Sequence, residues 1–289
     1  MALADSVPGV SGGTIAFIMG IYDEFIGSID GLITGNKQER IKSLKFMVKL
    51  GIGWIIGFIA AVLVLSSVFE SHIYVISSLF LGFIIFAIPI IVREEKETIK
   101  ASRWWQLIFL ILGIAIVAFI TYFNPASGDG GIQTDSFSVA LGVYSLVCGA
   151  IAVSAMVLPG ISGSTLMLIF GLYVSIISGI KDLLSFDFHA VPMLLCFGIG
   201  VIIGFVTIVK IIKKSLVRFR PQTIYLVLGM MIGSLYAIVM GPTTLDTPQE
   251  MLSLDKVTLS CVAAFIIGGI VILALQLLKR LINKQDNAN

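Results

Sequence analysis

Residues 136–180 run for 45 positions without a Lys, Arg, Asp or Glu, and "PGISGST" (159–165) lies near the middle of the run. As one straight helix the run would measure about 67 Å at 1.5 Å per residue. The hydrocarbon core of a bilayer is about 30 Å thick, so the segment must turn back on itself, and Pro159–Gly160 marks the place. Six further uncharged runs accompany it, at 50–69, 71–92, 104–128, 190–209, 221–245 and 257–278. Each is close to the ~20 apolar residues that cross a bilayer as a helix. Only 12% of the chain is charged and 57% is hydrophobic, against roughly 25% charged in a soluble domain. These features predict an all-α polytopic membrane protein in a single integral membrane domain. The net charge of +2 gives no reason to expect a nucleic-acid partner.

The heptapeptide has a twin. "PGVSGGT" occupies 8–14, and sliding the sequence by 151 residues sets Pro8, Gly9, Ser11, Gly12, Thr14, Ile18, Gly20 and Tyr22 on Pro159, Gly160, Ser162, Gly163, Thr165, Ile169, Gly171 and Tyr173. At an offset of 147, "GIGWIIGF" (51–58) falls on "GIGVIIGF" (198–205), and Gly82 falls on Gly229. Apolar composition yields chance matches of Leu and Ile, but not of Pro, Gly, Ser and Tyr in one frame. The chain is read as a duplication. The second motif has an apolar lead-in from 136 and the first has almost none. Either about a helix is missing ahead of the first motif or the halves differ.

Basic residues set the orientation, because Lys and Arg concentrate on the cytoplasmic side of membrane proteins. They cluster at 30–49, 93–103, 210–220 and in the tail from Lys279. With these inside, helices at about 50–69, 71–92 and 104–123 complete a first repeat (1–123) that begins with a hairpin at 1–30. A second repeat (136–280) comprises a hairpin at 136–180 and helices at about 190–209, 223–240 and 257–278. One hairpin enters from inside and the other from outside, which predicts an inverted-topology repeat with both termini cytoplasmic. Secondary transporters are often built so, with substrate held where broken helices meet near the midplane.

The heptapeptide suits that task. Pro8 and Pro159 break a helix, glycine tolerates backbone angles other residues avoid, and the hydroxyls of Ser11, Thr14, Ser162, Ser164 and Thr165 can cap the helix that follows. Free N–H groups at such a helix start form an anion site. Small residues also let helices approach closely. That packing reading is preferred for Gly20, Gly51, Gly53 and Gly57 and their twins, but it does not account for Pro-Gly with clustered hydroxyls at membrane depth.

Other polar residues read as follows. A buried Asp5 carboxylate could carry a proton or hold a cation, and a solvated chain end is the equal alternative. Asp23 and Glu24 belong at the cytoplasmic mouth. Arg218 and Arg220 read as topology signals that could also meet a phosphate at the inner surface. Tyr22 and Tyr173 suit the interface or the pocket edge. Cys148, Cys196 and Cys261 are small core residues, and no spacing suggests a metal or cofactor site.

"ADSVPGVSGGTIAFIMGIYDEFIGSI" (4–29), with "LPGISGSTLMLIFGLY" (158–173), resembles the bacterial and archaeal polyprenyl-phosphate transporters, formerly a domain of unknown function, along essentially the whole chain. The resemblance implies a flippase that returns undecaprenyl phosphate to the cytoplasmic leaflet of the cell membrane for envelope-precursor synthesis. Its partners would be a polyprenyl phosphate lipid and the bilayer, with protons or sodium as candidate coupling ions. The phosphate would contact Gly9, Ser11, Gly12, Gly13, Thr14, Gly160, Ser162, Gly163, Ser164 and Thr165. Two rivals remain. A small-anion channel or exchanger would use the same donors. A membrane undecaprenyl-pyrophosphate phosphatase would need a basic residue in the turn, which neither heptapeptide has, and His72 and His189 fall in loops away from both motifs. The chain is therefore read as no enzyme.

Overall fold

The structure is a computed structural model that describes residues 1, 11–68, 72–123, 138–161, 163–184, 186–244 and 249–286. The described chain is helical. Among the described residues six helices are long and apolar enough to cross a membrane: Ile73–Glu94, Trp104–Tyr122, Val139–Val157, Val191–Arg218, Arg220–Thr243 and Leu259–Leu277. The protein is thus a multi-pass helical membrane protein.

In chain order, α1 (Gly12–Ile18) follows the first motif and α2 (Tyr22–Thr34) follows α1. Gly20 separates them with φ +67°, and its twin Gly171 has φ +65° between α8 (Gly163–Ile169) and α9 (Tyr173–Leu184). Only glycine enters this left-handed region without strain. Gly20 therefore turns the chain rather than packing helices, which corrects the sequence expectation.

The next helix, α3, is Lys37–Val68. The basic stretch expected to be a connection is its first half. The Asn36 side chain accepts from Glu39 N–H at 3.0 Å and the Glu39 carboxylate accepts from Asn36 N–H at 2.8 Å, a reciprocal cap that starts the helix early. No proline interrupts it. Its 32 residues span about 48 Å, so a cationic end projects beyond the ~30 Å apolar layer. Likewise α10 (Val191–Arg218) carries the 210–218 cations in helix and stops before α11 (Arg220–Met240), which has Pro221 in its first turn. Between them in sequence lie α4 (Ile73–Glu94), short α5 (Lys96–Lys100), α6 (Leu107–Tyr122, after a 3-10 turn at Trp104–Gln106) and α7 (Val139–Val157). The last helix is α12 (Leu259–Asp286).

Glycines set the helix crossings. A Cβ on Gly82 of α4 would lie 2.2 Å from Phe265 O of α12, and one on Gly268 of α12 would lie 2.3 Å from Leu79 O of α4. The same holds for Gly229 of α11 against Leu110 O of α6 (2.1 Å) and Gly113 of α6 against Leu226 O of α11 (2.3 Å). Gly82 and Leu79 stand 147 residues before Gly229 and Leu226, and one common spacing relates Leu110 to Phe265 and Gly113 to Gly268. The two crossings match contact for contact. α7 packs on α10 through Gly200 and Gly204, whose Cβ atoms would meet Leu146 O at 2.0 Å and Ala150 O at 2.4 Å. Gly53, the twin of Gly200, meets nothing within 4 Å, and neither do Gly51 and its twin Gly198, so for these residues the packing expectation fails among the described residues. The core centres on α11, where Ile224, Met231 and Ile238 are fully enclosed against Tyr22, Phe80 and Ile84.

Candidate functional site

The two motif turns are in contact. α7 ends at Val157 because Pro159 cannot continue the helix, which leaves its last carbonyls without intrahelical partners. Hydroxyls from the first half supply them. Tyr22 OH donates to Val157 O at 3.2 Å, and Ser11 Oγ donates to Leu158 O at 3.1 Å. In the other direction Gly160 N–H donates to Thr14 Oγ1 at 2.7 Å. Ser11 also caps α1, its Oγ accepting from Thr14 N–H at 3.3 Å. Ser11 and Thr14 are buried completely.

The glycines of both motifs make this approach feasible. Gly160 has φ +88°, and a Cβ there would sit 2.6 Å from Met230 O. A Cβ on Gly13 would sit 2.7 Å from Val157 O, and one on Gly163 would sit 2.8 Å from Ala152 O. Each motif thus presses backbone against a neighbouring helix, and the hydroxyls replace bonds that the broken helices lack. α1 and α8 have only seven residues each. Their electrostatics come from local N–H groups rather than from a long summed dipole.

Of the residues expected to meet an anion, Ser11, Gly12, Gly13, Thr14, Gly160 and Gly163 gather here with Pro159. Thr165 lies half-buried in α8. Pro8, Gly9, Asp5 and Ser162 lie outside the described residues, as does the side chain of Ser164.

A groove leads from the turns to the lipid-facing surface. It encloses about 570 Å³ between α6, α10 and α11, and Tyr22, Leu158 and Met230 form its inner end. Trp105, Ile211 and Phe219 line its outer part and remain 42%, 54% and 47% exposed, so it is open at that end. It runs toward the molecular end that carries Arg218 and Lys214.

At that end Arg220 ties three helices together. Its Nη1 donates to Asp23 Oδ2 at 3.0 Å, its Nη2 to Glu95 Oε1 at 2.5 Å and its Nε to Glu95 Oε2 at 3.2 Å. Thr98 Oγ1 donates to Glu95 Oε2 at 2.7 Å. Burial pushes the Glu95 carboxyl up, but the hydrogen bonds from Arg220 and Thr98 outweigh it and hold the group below the usual carboxylate range. Lys213 Nζ meets Asp30 Oδ2 at 2.6 Å, and the pair lines a polar pocket with Glu24. The Arg218 guanidinium lies 5.6 Å from the Phe219 ring centre. Arg220 and Asp23 thus meet directly and Arg220 is neutralised by its acidic partners, whereas Glu24 lines the separate polar pocket beside Asp30 and Lys213.

Sequence reasoning missed Glu95, Trp105, Phe109 and Gln222. The only available signals were three glutamates among cations at 93–97 and an isolated amide in an apolar helix.

Comparison with known proteins adds the following. The family model described as undecaprenyl phosphate translocase-like matches residues 1–254. A protein of Staphylococcus aureus named polyprenyl-phosphate transporter is 33% identical over 249 residues, covering 84% of each chain. A Vibrio cholerae protein of the same name is 32% identical over 245 residues, covering 81% of this chain and 73% of its own. No solved structure matches the chain.

Proposed function

This chain belongs to the undecaprenyl phosphate translocase-like family, and from that premise we propose that it is a flippase. It returns undecaprenyl phosphate, or a similar polyprenyl phosphate, from the outer to the inner leaflet of the cytoplasmic membrane for reuse in envelope-precursor assembly. The observation that carries the reading is the junction of the two turns, where Ser11 and Thr14 of one half bond to Leu158 and Gly160 of the other.

A phosphate at the centre of a bilayer costs several kcal/mol or more. Serine and threonine hydroxyls, the Gly160 N–H and the first-turn N–H groups of α1 and α8 are the donors that offset this cost, with Gly9, Ser162 and Ser164 completing the set. In the empty carrier Ser11 Oγ donates to Leu158 O and the Gly160 N–H donates to Thr14 Oγ1, so these two donors are paired. A phosphate exchanges protein–protein bonds for protein–phosphate bonds, and both states are hydrogen-bonded. The exchange breaks the bonds that join the two halves, which frees one to rock against the other.

The halves are read as an inverted-topology repeat whose broken hairpins meet near the midplane. The matched crossings Gly82–Phe265 and Gly229–Leu110, and the equal turns at Gly20 and Gly171, support this. The clustered basic segments support a reading with both termini in the cytoplasm. The lateral groove favours a lipid over a small anion, because a tail must stay in hydrocarbon while its headgroup crosses. The test is leaflet exchange of undecaprenyl phosphate in proteoliposomes by wild type and by the Ser11→Ala, Ser162→Ala double variant. The expected result is exchange by wild type and at least a tenfold fall in the variant, about 1.4 kcal/mol or more. No exchange by wild type, or equal rates, overturns the reading.

A further inference from the structure

We propose that the groove between α6, α10 and α11 is the berth of the isoprenoid chain, holding the units nearest the phosphate while the headgroup is at the motif turns. The inference rests on the transport reading and adds the place of the tail. Three observations lead to it. The inner end of the groove is made by Leu158, Tyr22 and Met230. Leu158 and Tyr22 bond to the opposing motif or to the end of its leading helix, and Met230 O faces Gly160. A headgroup at the turns therefore has the groove as its adjoining apolar exit.

The outer end is open at Ile211, Trp105 and Phe219, which stay exposed. A chain tens of carbons long can lie partly in the protein and trail into the membrane without meeting water. The volume, about 570 Å³, falls within the ~300–1,000 Å³ of small-molecule sites. It suits a few units of one chain rather than the paired chains of a phospholipid.

The lining explains selectivity. Hydrocarbon already surrounds the tail, so moving it into an apolar groove gives no hydrophobic gain. Selectivity must come from close packing. Trp105 and Phe109, which meet edge-on with ring centres 6.0 Å apart, offer aromatic contacts to the rigid, methyl-branched units of a prenyl chain. Gln222 also lines the groove, and its Oε1 is buried without a hydrogen-bond partner among the described residues. A buried amide oxygen without a partner is costly.

The test is photo-crosslinking in membranes. p-Benzoylphenylalanine replaces Ile211 in the groove or, as control, Ile56 of α3, which is 63% exposed elsewhere. Undecaprenyl phosphate should form an adduct at 211 and not at 56. Excess undecaprenyl phosphate should compete with the labelled lipid, and phosphatidylglycerol should not. Ser215→Trp, and independently Thr223→Trp, fill the groove and should each reduce the adduct at least tenfold in protein that remains monodisperse. Equal adducts at 211 and 56, competition by phosphatidylglycerol, or insensitivity to both plugs overturns the proposal. If wild type exchanges undecaprenyl phosphate between leaflets while the plugs change neither crosslink nor rate, the groove fails and the transport reading stands. If wild type exchanges none, the transport reading fails with it.

Discussion

Thr14 Oγ1 accepts the Gly160 N–H at 2.7 Å across 146 residues of sequence, with Thr14 fully buried. Thr14→Val keeps the shape and removes the acceptor, which leaves a buried N–H unpaired. The expected cost is about 1–3 kcal/mol, read as a lower Tm in detergent. Thr14→Ser should restore most of it. A Thr14→Val protein as stable as wild type would mean that the junction does not hold the halves together.

Nearly identical local sequence should respond differently at Gly53 and Gly200. Gly200→Ala drives a methyl into Leu146 O, where only 2.0 Å is available, and should cost about 1–3 kcal/mol or more by overpacking. Gly53→Ala meets nothing within 4 Å and should stabilise its helix by up to about 1 kcal/mol. Paired Tm measurements decide the point.

Gly20→Ala and Gly171→Ala should each destabilise by about 1–2 kcal/mol, because both positions hold a left-handed conformation. Substitution by Asn, which tolerates that region better, should cost less. Equal losses for Ala and Asn would point to crowding instead of backbone strain.

Glu95 governs an acid dependence. Its carboxyl is held below the usual range in the folded chain, so its stabilising contribution is present above the unfolded value near 4.3 and is lost as pH falls through the lower folded value. Arg220 is 40% exposed, which limits the contribution to about 1 kcal/mol. Glu95→Gln should lower Tm at pH 7 and flatten the loss of Tm below about pH 4. A wild-type Tm no more acid-sensitive than that of the variant would remove Glu95 from this role.

Ser145 is fully enclosed and its Oγ has no partner among the described residues. Ser145→Ala should leave Tm unchanged or raise it, since the hydroxyl loses hydration on burial and gains no bond in return. A fall above about 1 kcal/mol would reveal a partner.

Charge-free runs and clustered cations were enough to determine the membrane class and the helices. The reason is that a bilayer solvates no unpaired backbone and tolerates few charges. The recurrence of Pro, Gly, Ser and Tyr in one frame was also legible. Helix ends were less so. α3 and α10 absorb their basic segments because nothing in 37–68 or 191–218 breaks a helix strongly enough. Gly20 and Gly53 look alike in sequence, yet one turns the chain and the other faces open space. Only the tertiary structure decided that Ser11 and Tyr22 would meet the carbonyls of α7, that Arg220 would be held by Glu95, and that α6, α10 and α11 would leave a groove beside Leu158. Those are contacts between segments far apart in the chain, where distance is set by packing rather than by spacing.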